Sequence, residues 1–232
     1  MGRTTTTPAT KKPAAQNGAA SLDMTKNPNP TTNGGVHEQQ LQSITEQLYK
    51  RNLELAVRNK TLSLLRELYG ISIQTLEVSA LSAKITQTVQ AQLNLEIVGI
   101  LLTDDKQKNL LPAGLAFSER LRDTGQVLTQ TKISLDKDEH TMLAEAMRHG
   151  GRIESVSLAA FWQPALTADT AKWLKDKGNI KTSVGYPLII GGEVIGVLAI
   201  SMNRQYKSLP QYERDSLENF ANVIAVAIDK AK

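Results

Sequence analysis

The chain has 232 residues, of which 41% are hydrophobic, so it is long enough for one or two domains with a buried core. It contains no cysteine, which excludes disulfides, thiolate metal sites and thiol catalysis. The net charge of +4 comes mostly from residues 1–37, and the nearly neutral remainder does not predict a nucleic-acid surface. No apolar run approaches the ~20 residues that a bilayer span needs, so we expect a cytoplasmic protein without a membrane partner.

Residues 1–37 are rich in Thr, Pro, Ala, Asn and Gly and almost lack large apolar side chains. Such a segment cannot bury enough surface to offset its backbone entropy, so we expect it to be disordered. We interpret it as a solubilising tail or a cloning remnant. The alternative is a tether or a weak electrostatic arm.

Residues 38–69 predict one long helix, because they contain no Gly or Pro and are rich in good helix formers. Apolar residues occupy the a and d positions of a heptad, which predicts a parallel dimer, although Arg51 and Arg58 interrupt the seam. The predicted dimerisation residues are Leu41, Ile44, Leu48, Leu55, Leu62 and Leu65. A second stripe, which would face the chain's own domain, consists of Leu53, Val57, Leu64 and Leu68. The alternative is a lone amphipathic helix that lies on its own domain.

The rest of the chain alternates between helix and strand patterns. Apolar residues at four-residue steps predict a second helix over 78–93, after the first helix ends or bends at Gly70. A last helix, amphipathic with a period of 3.6, begins at Pro210. The other predicted elements are strands at 96–103 and 110–117, a weak strand at 127–135, a helix over 139–148, an edge strand at 152–158, and a short helix capped by Thr167 or Asp169 and ended by Gly178.

The most apolar stretch, 183–202, predicts a β-hairpin. Its two arms are aliphatic or β-branched and meet at Gly191-Gly192, a pair that can adopt the positive φ angles of a tight turn. Glu193 is its only charged residue. We therefore expect this hairpin to form the centre of an antiparallel sheet that is covered on most of both faces.

From about Leu65 onward, this order of elements resembles a GAF domain. The strongest match is the terminal block, which comprises 183–188, 192–198, Asn203-Arg204, Leu209, Glu213 and the final helix. Residues 64–69 fit the approach to the first domain helix, and 98–102 fit the first strand. The helix over 38–69 resembles the coiled-coil linkers that couple such domains in bacterial sensor kinases.

The resemblance implies an α+β, GAF/PAS-like fold over 70–232. Its central antiparallel sheet would have five or six strands, with the terminal helices on one face and a small-molecule pocket on the other. Members of the family bind cyclic nucleotides, bilins, haem or small metabolites, and many serve mainly as dimerisation modules.

Several family chemistries do not match these residues. The absence of cysteine excludes thioether-linked bilins and the methionine-sulfoxide reductase branch. The cyclic-nucleotide motif is incomplete, because Leu209 replaces its phenylalanine and Glu213-Arg214 its acidic pair. His140 and His149 are weaker candidates for haem ligands than for surface residues of a helix. We predict no enzymatic activity, no cofactor and no metal.

The large aromatic residues of the domain are the candidate ligand contacts, because concave sites use rigid aromatic side chains to bury flat ligands. They are Phe117, Phe161, Trp162, Trp173 and Tyr186. The alternative is that they belong to the core of a domain that is poor in aromatic residues.

We predict a sensory or regulatory module that binds an unknown small molecule and transmits its state through a homodimeric helix. This module would be a fragment of a larger signalling protein or free-standing. The alternative is a structural module for dimerisation or partner docking, with a pocket filled by its own side chains.

Overall fold

The computed structural model describes residues 33–74, 77–123, 125–136 and 138–232, so most of the predicted tail lies outside the described residues. The α-helices are α1 (Asn33–Gln74), α2 (Val78–Leu93), α3 (Met142–His149), α4 (Leu158–Phe161), α5 (Ala168–Gly178) and α6 (Gln211–Ala231). The strands are β1 (Ile97–Thr103), β2 (Asn109–Phe117), β3 (Ile133–Ser134), β4 (Ile153–Ser155), β5 (Thr182–Ile190) and β6 (Glu193–Met202). Within the described residues, none of the helices has both the length and the apolar character that crossing a membrane requires.

All six strands form one antiparallel sheet in the order β3-β2-β1-β6-β5-β4. The predicted hairpin is its β5–β6 pair, and β6 also pairs with β1, which places the hairpin at the centre of the sheet. Gly191 and Gly192 turn the chain with φ angles of 58° and 90°, which residues with a Cβ rarely adopt. The predicted α+β fold with a central antiparallel sheet is confirmed.

Successive side chains of the central strands point to opposite faces of the sheet, and both faces are covered. One side, the helix face, packs Val98 and Ile100 against α2, α6 and the C-terminal part of α1. The other side, the middle face, packs Ile97 and Leu101 against α3, α4 and α5. Each fully buried aliphatic side chain contributes about 1.5–3 kcal/mol, so both coverings are needed for stability.

The middle section departs most from the predicted elements. In place of a strand over 127–135, the chain forms a 3-10 helix (Gly125–Gln130) followed by the two-residue β3. Helix α3 begins three residues later than predicted, because Thr141 is its N-cap and accepts a hydrogen bond from the Ala144 amide at 3.3 Å. Thr167 caps α5 as predicted. The sequence predicts Asp136 or Asp138 as the N-cap of this helix, because hydroxyl and carboxylate side chains cap helices about equally well and their spacing alone does not select Thr141.

Helix α1 continues through Gly70 to Gln74, although the sequence predicts an end or a bend at that glycine. A glycine inside a helix costs only about 0.5–1 kcal/mol relative to alanine. Leu68 and Ile71 on either side of Gly70 are buried in the helix face. Their burial offsets the weak helix propensity of the glycine, so the helix persists.

Gly114 in β2 allows helix α2 to approach the sheet closely. A Cβ at Gly114 would lie 2.5 Å from the Ser82 carbonyl oxygen and 2.7 Å from the Ala83 amide nitrogen. Backbone atoms of a helix cannot move as a flexible side chain can. A side chain at Gly114 therefore has to push α2 away from β2.

We expect Gly114→Ala to lower the free energy of unfolding by about 1–3 kcal/mol, as overpacking does in other cores. Gly151→Ala is the matched control, because a Cβ at Gly151 meets no atom within 4 Å and its φ is not positive. Urea denaturation of both variants and the parent measures the difference. Equal stabilities would contradict the close packing of α2 on β2.

Candidate ligand site and dimer helix

Two of the five predicted ligand contacts lie at the centre of the middle face. Phe161 and Trp162 are both fully buried, and their rings meet edge to face with centroids 5.7 Å apart and planes at 74°. The single helical turn α4 positions them at its C-terminal end. Ser157 caps that turn, since its Oγ accepts a hydrogen bond from the Ala160 amide at 3.3 Å.

The indole of Trp162 lies on small residues of the sheet. A Cβ at Gly99 would come within 3.1 Å of Trp162 Cη2, and Ala199 is the register partner of Gly99 on β6. Trp162 Nε1 donates to Ser201 Oγ at 3.4 Å, and that oxygen lies 2.7 Å from Ser183 Oγ. Trp162 thus has apolar contacts and a polar partner within the protein. A flat ligand on this part of the sheet would have to displace it.

The other three predicted contacts are distributed differently. Phe117 is half-buried and packs against the same cluster as Phe161 and Trp162. Trp173 lies on α5 with 44% of its surface exposed, and the Lys177 ammonium is 4.6 Å from its ring centroid. Tyr186 belongs to the helix face. The structure therefore brings Phe117, Phe161 and Trp162 into one cluster and separates Trp173 and Tyr186 from it.

Tyr186 begins a hydrogen-bond chain that runs from the helix face to Arg152. Its hydroxyl donates to the Tyr206 hydroxyl at 3.1 Å, and Arg152 Nη1 donates to the same oxygen at 2.6 Å. The Arg152 guanidinium also lies 4.6 Å from the centroid of the Tyr206 ring. Burial, together with the Tyr206 hydroxyl, raises the pKa of Tyr186 well above its ordinary value. Tyr186 is therefore a neutral donor that ties β5 to the loop before α6.

Helix α1 carries the predicted dimerisation residues. Five of them are 53–62% exposed: Leu41, Ile44, Leu48, Leu55 and Leu62. Leu65 is half-buried against the helix face, where Leu64 and Leu68 of the second stripe are fully buried. Arg58 makes an ion pair with Glu54 of the same helix at 2.5 Å. The surface of α1 thus exposes four leucines and one isoleucine of the predicted seam.

The ionisable residues of the described ranges do not form a cluster suited to a metal ion. His140 and His149 contact the two carboxylate oxygens of Glu145 at 3.2 and 2.9 Å. The hydrogen bond from His140 is the main reason why the pKa of Glu145 lies below its ordinary range, and His149 and Arg148 act in the same direction. Both histidines are about three-quarters exposed, which fits a surface role.

A cavity that the sequence does not predict lies at the helix face. Its volume is about 190 Å³. It is lined by Val57, Lys60 and Thr61 of α1, Leu93, Leu95, Met202, Arg204 and Leu209, and Glu213, Ser216, Leu217 and Phe220 of α6. The sequence pointed to this region only through the terminal block that resembles GAF domains, which includes Arg204 and Glu213. These two side chains form an ion pair at 3.0 Å.

The sheet order and its two helical coverings define a small α+β domain with a central antiparallel sheet. The model of the GAF domain family matches residues 75–229, more than half of the chain, so this chain belongs to the GAF domain family. GAF domains are commonly sensory or regulatory domains that bind small molecules. No curated protein matches the sequence.

Solved structures show the same fold at low sequence identity. The GAF domain of A. aeolicus nlh2 in an inactive state is 15% identical, with a TM-score of 0.55 over 74% of this chain and 97% of that one. The GAF domain of a phosphoenolpyruvate-protein phosphotransferase from Coxiella burnetii is 13% identical, with a TM-score of 0.55 over 73% and 93%. The free methionine-R-sulfoxide reductase from Neisseria meningitidis is 15% identical, with a TM-score of 0.53 over 74% and 89%.

The two tryptophans of the chain give a direct test of the middle-face packing. We expect Trp162→Ala to lower the free energy of unfolding by about 3–5 kcal/mol, because it leaves a cavity and removes the hydrogen bond from Trp162 Nε1 to Ser201 Oγ. Trp173→Ala should cost less than about 1 kcal/mol, since it removes a half-exposed ring and a surface cation–π contact.

Chemical denaturation measures both values. Trp162→Phe, which keeps most of the apolar volume, provides a folded variant if the alanine variant is too unstable. Similar losses for the alanine variants at positions 162 and 173 would contradict the burial of Trp162.

Proposed function

We propose that this chain is a regulatory GAF module that forms a homodimer through α1 and transmits the state of its domain along that helix. The observation that carries the proposal is the pair of stripes on α1. Leu64 and Leu68 are buried in the domain, whereas Leu55 and Leu62 of the same helix expose more than half of their surface. One rigid helix can therefore couple the domain core to a partner helix.

Apolar burial supplies the driving force for this dimer. Each leucine that passes from water into a helix seam contributes about 1.5–3 kcal/mol, before the entropy of association is subtracted. Arg51 and Arg58 interrupt the seam, so we expect a dimer of moderate affinity. Such a dimer can respond to changes in the domain, because a small difference in free energy between two packing arrangements of the seam is enough to shift their populations.

We further propose that the module senses a small molecule at the predicted aromatic residues. Phe117, Phe161 and Trp162 would contact it directly, and Trp162 would move to admit it. Trp173 and Tyr186 lie apart from this cluster, so their contribution requires a larger rearrangement of α5 or β5. The family membership supports this part of the proposal.

A second candidate function is a dimerisation or docking module without a ligand. The packing of Trp162 on Gly99, with its Nε1 donating to Ser201, favours this candidate. In that case the indole of Trp162 permanently occupies the place on the sheet where a ligand would otherwise bind. The two candidates share the α1 dimer and differ only in what occupies the middle face.

Sedimentation of the full chain tests the dimer. We expect Leu55→Glu to weaken association at least tenfold, because it places a charge in the apolar seam. Leu53→Glu is the matched control, since Leu53 is also about half-exposed but lies on the other predicted stripe. A monomeric parent chain, or equal effects of the two substitutions, would refute a dimer through this seam.

Native mass spectrometry of protein purified from its host tests the ligand. We expect an additional mass that disappears under denaturing conditions, because a bound molecule is released when the fold is lost. Trp162→Phe should change its occupancy more than Trp173→Phe. A parent chain that carries no additional mass, with or without added host metabolites, would support the ligand-free candidate instead.

A further inference from the structure

The cavity at the helix face lies outside the aromatic cluster of the middle face. It opens between α1, the C-terminal end of α2, the end of β6 and α6. A ligand in it would touch α1 and α6 together. The Thr61 hydroxyl donates to Ser216 Oγ at 3.0 Å beside this cavity and links the same two helices.

The floor of the cavity is apolar and preformed. Met202, Leu209, Leu217 and Phe220 line it, and each of them is at most 6% exposed. Val57 of α1 forms a half-buried wall. The volume of about 190 Å³ exceeds the ~150 Å³ of an apolar protein cavity that binds benzene. A compact apolar group of four to six carbon atoms is the matching occupant.

The rim of the cavity is polar and carries a net positive charge. Arg204 and Glu213 neutralise each other in their ion pair, which leaves Lys60 as the excess positive charge among the residues that line the cavity. The hydroxyls of Thr61 and Ser216 add hydrogen-bonding groups at the same rim. An apolar floor below a cationic rim is complementary to an amphipathic anion.

We propose that this cavity binds a small monocarboxylate with an apolar body of about four to six carbon atoms. The apolar body lies on Met202, Leu217 and Phe220, and the carboxylate faces Lys60. The site is independent of the ligand proposed for the middle face and of the dimer through α1. It contacts α1 directly, so its occupant acts on the helix that the proposed function uses for transmission.

Hexanoate is the probe, and 1-hexanol is its uncharged control. We expect hexanoate to bind the full chain saturably in the millimolar range or tighter, as about eight non-hydrogen atoms allow. Two-dimensional amide NMR should show shifts confined to the residues that line the cavity. 1-Hexanol should bind at least threefold more weakly, because it lacks the anion.

Two pairs of variants locate the site. Lys60→Met should weaken the binding of hexanoate about three- to tenfold and leave the binding of 1-hexanol unchanged. Lys50 is an exposed lysine of the same helix that does not line the cavity, so Lys50→Met should change neither affinity. Val57→Phe should abolish the binding of both hexanoate and 1-hexanol, because the larger side chain fills the cavity. Val226→Phe, at a half-exposed position of α6 that does not line the cavity, should abolish neither.

Three results would overturn the proposal. The first is the absence of saturable hexanoate shifts in the folded parent chain at millimolar concentrations. The second is unchanged binding in Val57→Phe, which would place hexanoate elsewhere. The third is equal affinity for hexanoate and 1-hexanol, or an equal loss in Lys60→Met and Lys50→Met, which would remove the role of the charge.

Discussion

The central pair of strands, β1 and β6, imposes the constraint on which the rest of the domain depends. Their side chains are buried on both sides of the sheet, so neither face can be left in contact with water. Each aliphatic side chain loses about 1.5–3 kcal/mol of stabilisation when it is exposed. The chain meets this requirement with two coverings, and most other elements are explained by the face that they cover.

The two coverings differ in kind. On the helix face, long amphipathic helices provide regular apolar stripes, and these leave a cavity where α1, α6 and the end of β6 meet. On the middle face, short segments close the surface with individual side chains, above all the indole of Trp162 on Gly99. A ligand on the middle face would compete with that indole. A ligand on the helix face would use space that already exists.

Helix α1 connects the domain core with an apolar surface. Leu64 and Leu68 fix its C-terminal part in the helix face, and Leu55 and Leu62 extend from the same rigid element into solvent. The hydrogen bond between Thr61 and Ser216 joins this helix to α6, across 155 positions of sequence. A change in how α1 and α6 pack would therefore reorient the exposed leucines of α1. This geometry is the physical basis of the regulatory role that we propose.

The sequence alone determined the elements whose signals are local. The 183–202 hairpin and the amphipathic α6 follow from the periodicity of apolar side chains and, at the Gly-Gly turn, from the φ angles available to glycine. The long α1 follows from a composition rich in helix formers and free of Gly and Pro over 38–69. Tertiary structure decided the rest. Trp162 and Trp173 are the same residue type eleven positions apart, yet one is buried and the other half-exposed, because the packing of α4 and α5 on the sheet sets their environments. The helix-face cavity is lined by residues as distant in sequence as Val57 and Phe220, which come together only after folding. No local sequence pattern predicts that contact.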